Sequence, residues 1–311
     1  MKDLYAHVSI DKLCKWIGIS RQAYYQHEWN QSEELFQYSL VLEEVRNIRE
    51  RHHRMGVRKL QDVLQPFMHE HRIQLGRDAL FDLLSTHGML IRNRQRRIRT
   101  TNSCHWLKKY PNLIVDFIPF HPNQLWVSDI TYWKTGGIWF YISLITDAYS
   151  RKIIGYHLSE TLHAEQTVKA LKMAFLDLNK HSKSSERLIH HSDRGVQYCS
   201  SSYVNQLKKK SIDISMTQSG DPLENAMAER VNGIIKEEYL FNYECNNIKE
   251  ARKQLALAVS LYNNERPHSS IGNLTPEFVH NQYYQIENKK IKRLWKNYYT
   301  KNTIFVNDNQ D

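Results

Sequence analysis

Residues 124–160 read QLWVSDITYWKTGGIWFYISLITDAYSRKIIGYHLSE. β-Branched and aromatic residues dominate QLWVSDITYW (124–133), which runs into the turn Thr135-Gly136-Gly137. IWFYISLITDAYS (138–150) follows at hairpin distance, and RKIIGYHLSE (151–160) follows after another short turn. Three strands at this spacing predict an antiparallel meander. Downstream, HAEQTVKALKMAFLDLN (163–179) places Val168, Leu171 and Phe175 on one helical face. RLIHHSD (187–193) reads as a short strand ending in an acid, SSYVNQLKKK (201–210) as a helix and IDISMT (212–217) as a strand. After the turn Gly220-Asp221-Pro222, one helix is expected from about Glu224 to Leu240 and a last one from about Lys249 to Asn263. The pattern predicts an α/β fold, a mixed five-stranded sheet flanked by helices.

The segment before this one has a different grain. In residues 9–28, Leu13, Trp16 and Ile17 share one helix face, Gly18 makes a turn, and Ser20 is placed to cap a second helix from Arg21 to His27. Helix, glycine turn and capped helix is the layout of a helix-turn-helix, which puts Arg21 near the start of a recognition helix. A helical hairpin of no such role has the same local pattern. Residues 36–51, 57–68 and 77–86 read as three further helices punctuated by Gly56, Gly76 and Gly88. Arg92, Arg94, Arg96, Arg97 and Arg99 then form a basic run suited to phosphate contacts, or else a solvated connector. The expected organisation is a short helix-turn-helix-like segment (1–35), a helical DNA-binding domain (36–91), a basic linker (92–123), an α/β core (124–280) and a basic tail (281–311).

Charge supports that division. The chain has 311 residues and a formal net charge of +10. Residues 1–110 hold 19 Lys/Arg against 12 Asp/Glu, residues 111–280 hold 18 of each, and residues 281–311 hold 6 against 3. The surplus lies in the flanks, as in a protein that grips a polyanion around a neutral globular part. No apolar run reaches the ~20 residues that span a bilayer, and the start lacks the apolar stretch of a signal peptide, so a cytoplasmic protein without a membrane partner is expected. Cys14, Cys104, Cys199 and Cys245 form no C-x-x-C pair and are expected to be free thiols.

Three acids stand out in the core. Asp129 falls midway along the first strand beside Trp126, Val127, Ile130 and Tyr132, a half-buried setting where a carboxylate is costly unless compensated. Asp193 ends the fourth strand and leads into Arg194-Gly195, at the end of the sheet where ligands gather in open α/β folds. Glu229 shares a polar helical stripe with Asn225, Asn232 and Lys236, beside an apolar stripe of Ala228, Val231 and Ile235. Carboxylates from three elements can converge on Mg²⁺ or Mn²⁺, hard cations that take oxygen ligands. Two such ions can activate an attacking oxygen and stabilise the leaving oxygen of a phosphodiester. The competing reading is three ordinary structural acids.

WVSDITYW, HSDRGVQY, DPLENAMAER and YNNERPHSSIGNLTPEFV together resemble the catalytic core of DDE transposases of bacterial insertion sequences. The pattern is similar to the OrfB-type product of the insertion-sequence-three family, in the superfamily of retroviral integrase cores. Asp193 and Glu229 are separated by 35 residues, and Lys236 stands seven after the glutamate, as in that group's signature. Val196 and Glu224 depart from the family pattern. Glu224 is a rival acid, but five helical residues turn it ~140° away from Glu229. The resemblance implies a ribonuclease H-like core in which Asp129, Asp193 and Glu229 are catalytic and hold two divalent cations, Mg²⁺ or Mn²⁺. It implies strand cleavage at the element's ends, then attack by the freed 3′-hydroxyl on another phosphodiester. It also implies double-stranded DNA as substrate, a homo-oligomer on that DNA, and an upstream OrfA partner or a frameshift fusion with it.

Supporting roles are assigned around these three. Lys236 is placed on a phosphate near the cleaved bond, and Arg194 on DNA or an acidic neighbour. Asn225 either bonds the loop bearing Asp193 or begins the helix. Of His190 and His191 only one can face the site, and His191 is carried as the supporting candidate. Arg266 and His268 either pack the core's edge or hold DNA. Two alternatives remain beside an active transposase: a catalytically silent DNA-binding repressor derived from one, and a ribonuclease acting on RNA–DNA hybrids.

Overall fold

The computed structural model describes residues 7–91, 106–180, 187–218, 225–241 and 243–282. It divides into two compact units, residues 1–51 with 55–92, and residues 52–54 with 93–311. The arginine run 92–99, Cys104, the Gly220–Pro222 turn, Glu224 and the tail from 283 lie outside the described residues.

The first unit is helical. Helix α1 (Ile10–Ile17) starts at Ser9, whose hydroxyl accepts from the Lys12 amide, and ends at Gly18 in the left-handed region. Leu13 and Cys14 are its buried residues, whereas Trp16 is 67% exposed, so the apolar face inferred from Leu13, Trp16 and Ile17 is not the packed one. Ser20 caps α2 by accepting from the Ala23 amide at 3.0 Å. The expected stop at His27 does not occur: α2 runs from Arg21 to Arg51, straight through the boundary drawn at residue 35. No glycine or proline interrupts this stretch, and side chains four apart, Gln26 with Asn30 and Glu33 with Gln37, hydrogen-bond along it. Its second half packs Val41, Leu42 and Val45 against Leu60, Leu64 and Met68 of α3 (Val57–Glu70) and Leu80 and Leu84 of α4 (Arg77–Thr86).

The second unit is built on the expected sheet. Strands β1 (Leu125–Thr135), β2 (Ile138–Asp147) and β3 (Ile153–Ser159) form the meander. Gly136 and Gly137 both have positive φ in the first hairpin turn. Helix α5 (Ala164–Lys180) crosses over to β4 (Ile189–Ser192), and α6 (Val196–Cys199) and α7 (Ser201–Lys209) lead to β5 (Asp213–Met216). The order is β3-β2-β1-β4-β5, with β4 parallel to β1 and to β5. α5 lies close on β3, because a Cβ at Gly155 would collide with the Ala170 carbonyl. That face buries Trp126 and Ile145 against Ala170, Ala174, Tyr203 and Leu207. The opposite face buries Trp133, Phe140, Ile142 and Leu144 against Val231, Ile235, Leu255 and Tyr262, from α8 (Ala226–Ile234), the turn after it and α9 (Ile248–Asn264).

Two features depart from expectation. The helix predicted through Leu240 changes character after Ile234: Ile235–Leu240 is a π-helical stretch that keeps Ile235, Tyr239 and Leu240 buried. Residues 106–123, assigned to a linker, are laid on the sheet by their own apolar side chains. Leu107 and Tyr110 pack with one core cluster, and Leu113, Ile114 and Phe117 with Leu125, Val127 and Ile189. The Met216 amide donates to the Pro111 carbonyl and the Leu113 amide to Ser215 Oγ, so this strap lies along the outer strand β5.

At the amino end of β1 the sheet is closed by a buried charge network. Asp147 accepts from the Asn123 amide (2.7 Å) and from the Ser150 amide and hydroxyl (2.7 and 2.6 Å). His280, on α10 (Pro276–Gln282), stands 3.7 Å from Asp147 and 3.5 Å from Asp177. Lys152 bridges Asp177 (3.2 Å) and Glu277 (3.1 Å).

Candidate active site

The last pair between β1 and β4 is Ser128↔Ser192. From Asp129 onward, among the described residues, β1 has a strand neighbour only on its β2 side. Asp129 therefore sits where β1 parts from β4, and Asp193 follows directly from the end of β4. This is the carboxyl end of the parallel strands, where loops leave room for a ligand. Glu229 is exposed on the first turn of α8.

Each acid is held differently. Asp129 Oδ1 accepts from the Ile130 amide (2.9 Å) and Oδ2 from the Asn232 side-chain amide (2.9 Å). Asp193 Oδ1 accepts from the Gly195 amide at 3.0 Å. Burial, the Asp193 charge and, more weakly, the Glu229 charge push the Asp129 carboxyl up to about 7, against the pull of its two hydrogen bonds. The three acids thus share one electrostatic neighbourhood. Among the described residues, though, no three His, Cys, Asp or Glu side chains already stand at the spacing of one metal sphere.

Asn225 begins α8, and its amide donates to the Ser128 carbonyl (3.2 Å) rather than to the loop bearing Asp193. Lys236, in the π-helical stretch, reaches the free edge of β1. Its ammonium donates to Thr131 Oγ1 at 3.1 Å and lies 4.5 Å from the centre of the Tyr132 ring. Burial lowers its pKa, while Glu237 and Asp129 act in the opposite direction. Asn232 is the residue to which the sequence reading gave no role. Its place between Glu229 and Lys236 on the polar stripe was the available signal.

The remaining candidates separate cleanly. His190 is buried on the other face, sharing hydrogen bonds with Ser128 Oγ (2.8 Å) and the Tyr203 hydroxyl (2.9 Å). Burial drops its pKa to about 3, so it is neutral. His191 pairs in register with Val127, on the Asp129 side of the sheet, but is fully buried and bonded to Ser215 Oγ (2.8 Å). Arg266 is 2% exposed and makes a two-pronged ion pair with Glu238 (2.7 Å for each bond), with His268 beside it. Both belong to the packed edge of the core, away from solvent. Arg194 is half-buried after Asp193. Arg21 is exposed on α2, with its guanidinium 5.6 Å from the Tyr25 ring centre.

The donor set fits a hard divalent cation. All three acids offer oxygen, the negative charge at Asp129 is not offset by a direct ion pair among its contacts, and the buried amide oxygens of Asn225 and Asn232 lack hydrogen-bond partners among the described residues.

Sequence comparison agrees with this arrangement. The integrase core domain family matches residues 119–222, and a second integrase core domain family matches residues 210–276. The uncharacterized 31 kDa protein of insertion element IS600 from Shigella sonnei is 35% identical over 282 residues, covering 88% of this chain and 99% of that protein. The putative transposase InsK of IS150 from Escherichia coli is 29% identical, covering 91% of this chain and 98% of that protein. Transposase InsF of IS3A, also from Escherichia coli, is 34% identical over 60% of this chain and 62% of its own length. The chain belongs to the insertion-sequence transposases that carry an integrase core, and its core is that of a polynucleotidyl transferase acting in transposition and integration. Among the described residues, no helix is long and apolar enough to cross a membrane.

Proposed function

We propose that this chain cuts double-stranded DNA at the ends of an insertion sequence and joins the freed 3′-hydroxyl to another phosphodiester, with Asp129, Asp193 and Glu229 as the catalytic, metal-holding carboxylates. The observation that carries this reading is geometric: Asp129 lies where β1 parts from β4, Asp193 follows directly from β4, and Asn232, three residues after Glu229 on α8, bonds the Asp129 carboxylate. Acids gathered this closely raise one another's pKa, and a divalent cation relieves that repulsion. When bound, divalent metal supplies charge neutralisation and Lewis-acid activation at phosphorus. The protein's own share is positional. Asn232 and the Ile130 amide fix the Asp129 carboxylate, the Gly195 amide fixes Asp193, and Lys236 offers its ammonium to a phosphate oxygen.

Both steps are displacements at phosphorus, so one set of groups serves both. Arg21, Arg194 and the run from Arg92 to Arg99 are proposed phosphate contacts that orient the duplex. A homo-oligomer on DNA, an OrfA partner or fusion, and a cytoplasmic location complete the proposal. The test is strand cleavage and joining on end-bearing DNA with Mg²⁺, comparing wild type with Asp129→Asn, Asp193→Asn and Glu229→Gln. Loss of both steps in each variant is expected; activity retained in all three overturns the assignment.

A further inference from the structure

The hairpin of β1 and β2 carries an alternating row of cations and rings that the three carboxylates do not use. Lys236 lies 4.5 Å from the Tyr132 ring centre, Tyr132 lies 5.5 Å from Trp139 with the rings tilted by 59°, and Lys134 lies 5.3 Å from Trp139. Register explains the row. Lys134 is the direct partner of Trp139, and Tyr132 is two residues back on the same face of the sheet. Trp139 is 48% exposed, and Lys134 is exposed beside it. About half of Trp139 is left to solvent, and the ammonium groups of Lys134 beside it and of Lys236 beside Tyr132 give the row a charge complementary to a polyanion. Every nucleobase has a π-face, and stacking on an aromatic ring beside a cation is how single-stranded nucleic acid is held without sequence readout.

Given the DNA-cutting function proposed above, we propose that Trp139, backed by Tyr132, stacks an unpaired nucleobase of the DNA strand, with Lys134 on that nucleotide's phosphate. Lys134 exchanges the Trp139 ring for the phosphate when the base arrives. Asp129 and Lys134 are five residues apart on β1, about 16 Å along the strand and on opposite faces of the sheet, so the DNA strand passes round the open edge of β1 between the cut bond and the stacking ring. Lys236 joins the two places: it feels the Asp129 charge and touches the Tyr132 ring. The ligand class is thus a DNA end with a frayed or single-stranded terminus, in preference to a blunt duplex.

The test uses the full-length protein without divalent metal, so that no turnover intervenes. DNA duplexes with a short 3′ single-stranded overhang carry the fluorescent base analogue aminopurine at successive positions. Wild type is expected to quench one overhang position strongly, and to bind overhang DNA more tightly than blunt DNA. Trp139→Ala is expected to lose that quench and to weaken overhang binding about ten-fold, with blunt binding unchanged. Trp139→Phe is expected to restore most of both, whereas Trp139→Leu, which keeps an apolar side chain on the hairpin but offers no ring, is expected to restore neither. Equal quench in wild type and Trp139→Ala, or no quench at any position, overturns the proposal. So does a change in self-association of Trp139→Ala with DNA binding intact, which would assign the ring to a second copy of the chain. Failure of the carboxylate reading appears separately, as cleavage surviving in the acid variants, and leaves the quench untouched.

Discussion

The sheet of the second unit has a cluster of three acids at each end, and the two clusters behave in opposite ways. At the amino end of β1, Asp147, Asp177 and Glu277 are matched by Lys152 and His280. There burial opposes ionisation, but His280 and Lys152 hold Asp177 down at about 2, and His280 with the Ser150 hydrogen bonds holds Asp147 below its ordinary value. At the carboxyl end the balance is different: burial and the charges of Asp193 and Glu229 drive Asp129 up to about 7. The same residue type is held ionised as a fastener where the fold brings positive charge to it and pushed toward its neutral form where other acids crowd it. Abundance of acids says nothing about function; whether the chain itself neutralises them does.

The largest effect that would break this contrast is on chemistry. Asp129→Asn should lower strand cleavage by on the order of a thousand-fold, yet raise the melting temperature of the metal-free protein, since it removes a repelled charge. A variant that lost activity and stability together would make Asp129 another fastener. At the other end the signs reverse. His280→Ala should leave cleavage chemistry intact in the folded fraction but cost about 3–5 kcal/mol in chemical denaturation, because two buried carboxylates lose their cation.

A smaller effect separates holding an acid from being one. Asn232→Ala removes the hydrogen bond to Asp129 Oδ2 and should reduce kcat about ten-fold with KM for DNA little changed. The gentlest test is titration. Burial alone would lower the His280 pKa, but Asp147 and Asp177 raise it, so its contribution to stability is full below the ordinary histidine value of about 6.5 and fades as pH rises through the raised value. The Asp177 contribution is full above about 4 and fades as pH falls toward about 2. In the Asp129→Asn background, which removes that carboxyl's own decline between pH ~4 and 7, the unfolding free energy should therefore decline on both sides of a weakly acidic plateau, by no more than about 1.4 kcal/mol per pH unit per group. His280→Ala should abolish the alkaline decline, and an unchanged profile would remove His280 from the network.

How much of this was readable beforehand depended on range. The five strands were legible to within a few residues, since alternation and glycine turns are local signals; Asp129 stood out as an acid at a strand position that apolar neighbours make expensive, and Asp193 as the acid at the carboxyl end of the fourth strand. The Glu229 stripe was legible because α8 keeps helical periodicity as far as Ile234. The two ion-paired groups were not. Arg266 pairs with Glu238 across 28 residues, and His280 lies 133 residues beyond Asp147, distances at which no periodicity operates. The long α2 was missed for a different reason: Gly18 announces one break, and the polar stretch after His27 imitates another although nothing in it stops a helix. The apolar residues of 106–123 could have been read as packing, but the arginines just before them made the whole stretch look like a tether.

The strap over β5 has a consequence for assembly. An outermost strand with vacant backbone groups invites a further chain to zip onto it, the usual route by which sheets fuse into larger ribbons or fibrils. Here the Pro111 carbonyl has already taken the Met216 amide, and the Leu113 amide bonds the Ser215 hydroxyl beside it. That end of β5 is therefore covered, and whatever approaches it meets the strap's side chains and not an open strand.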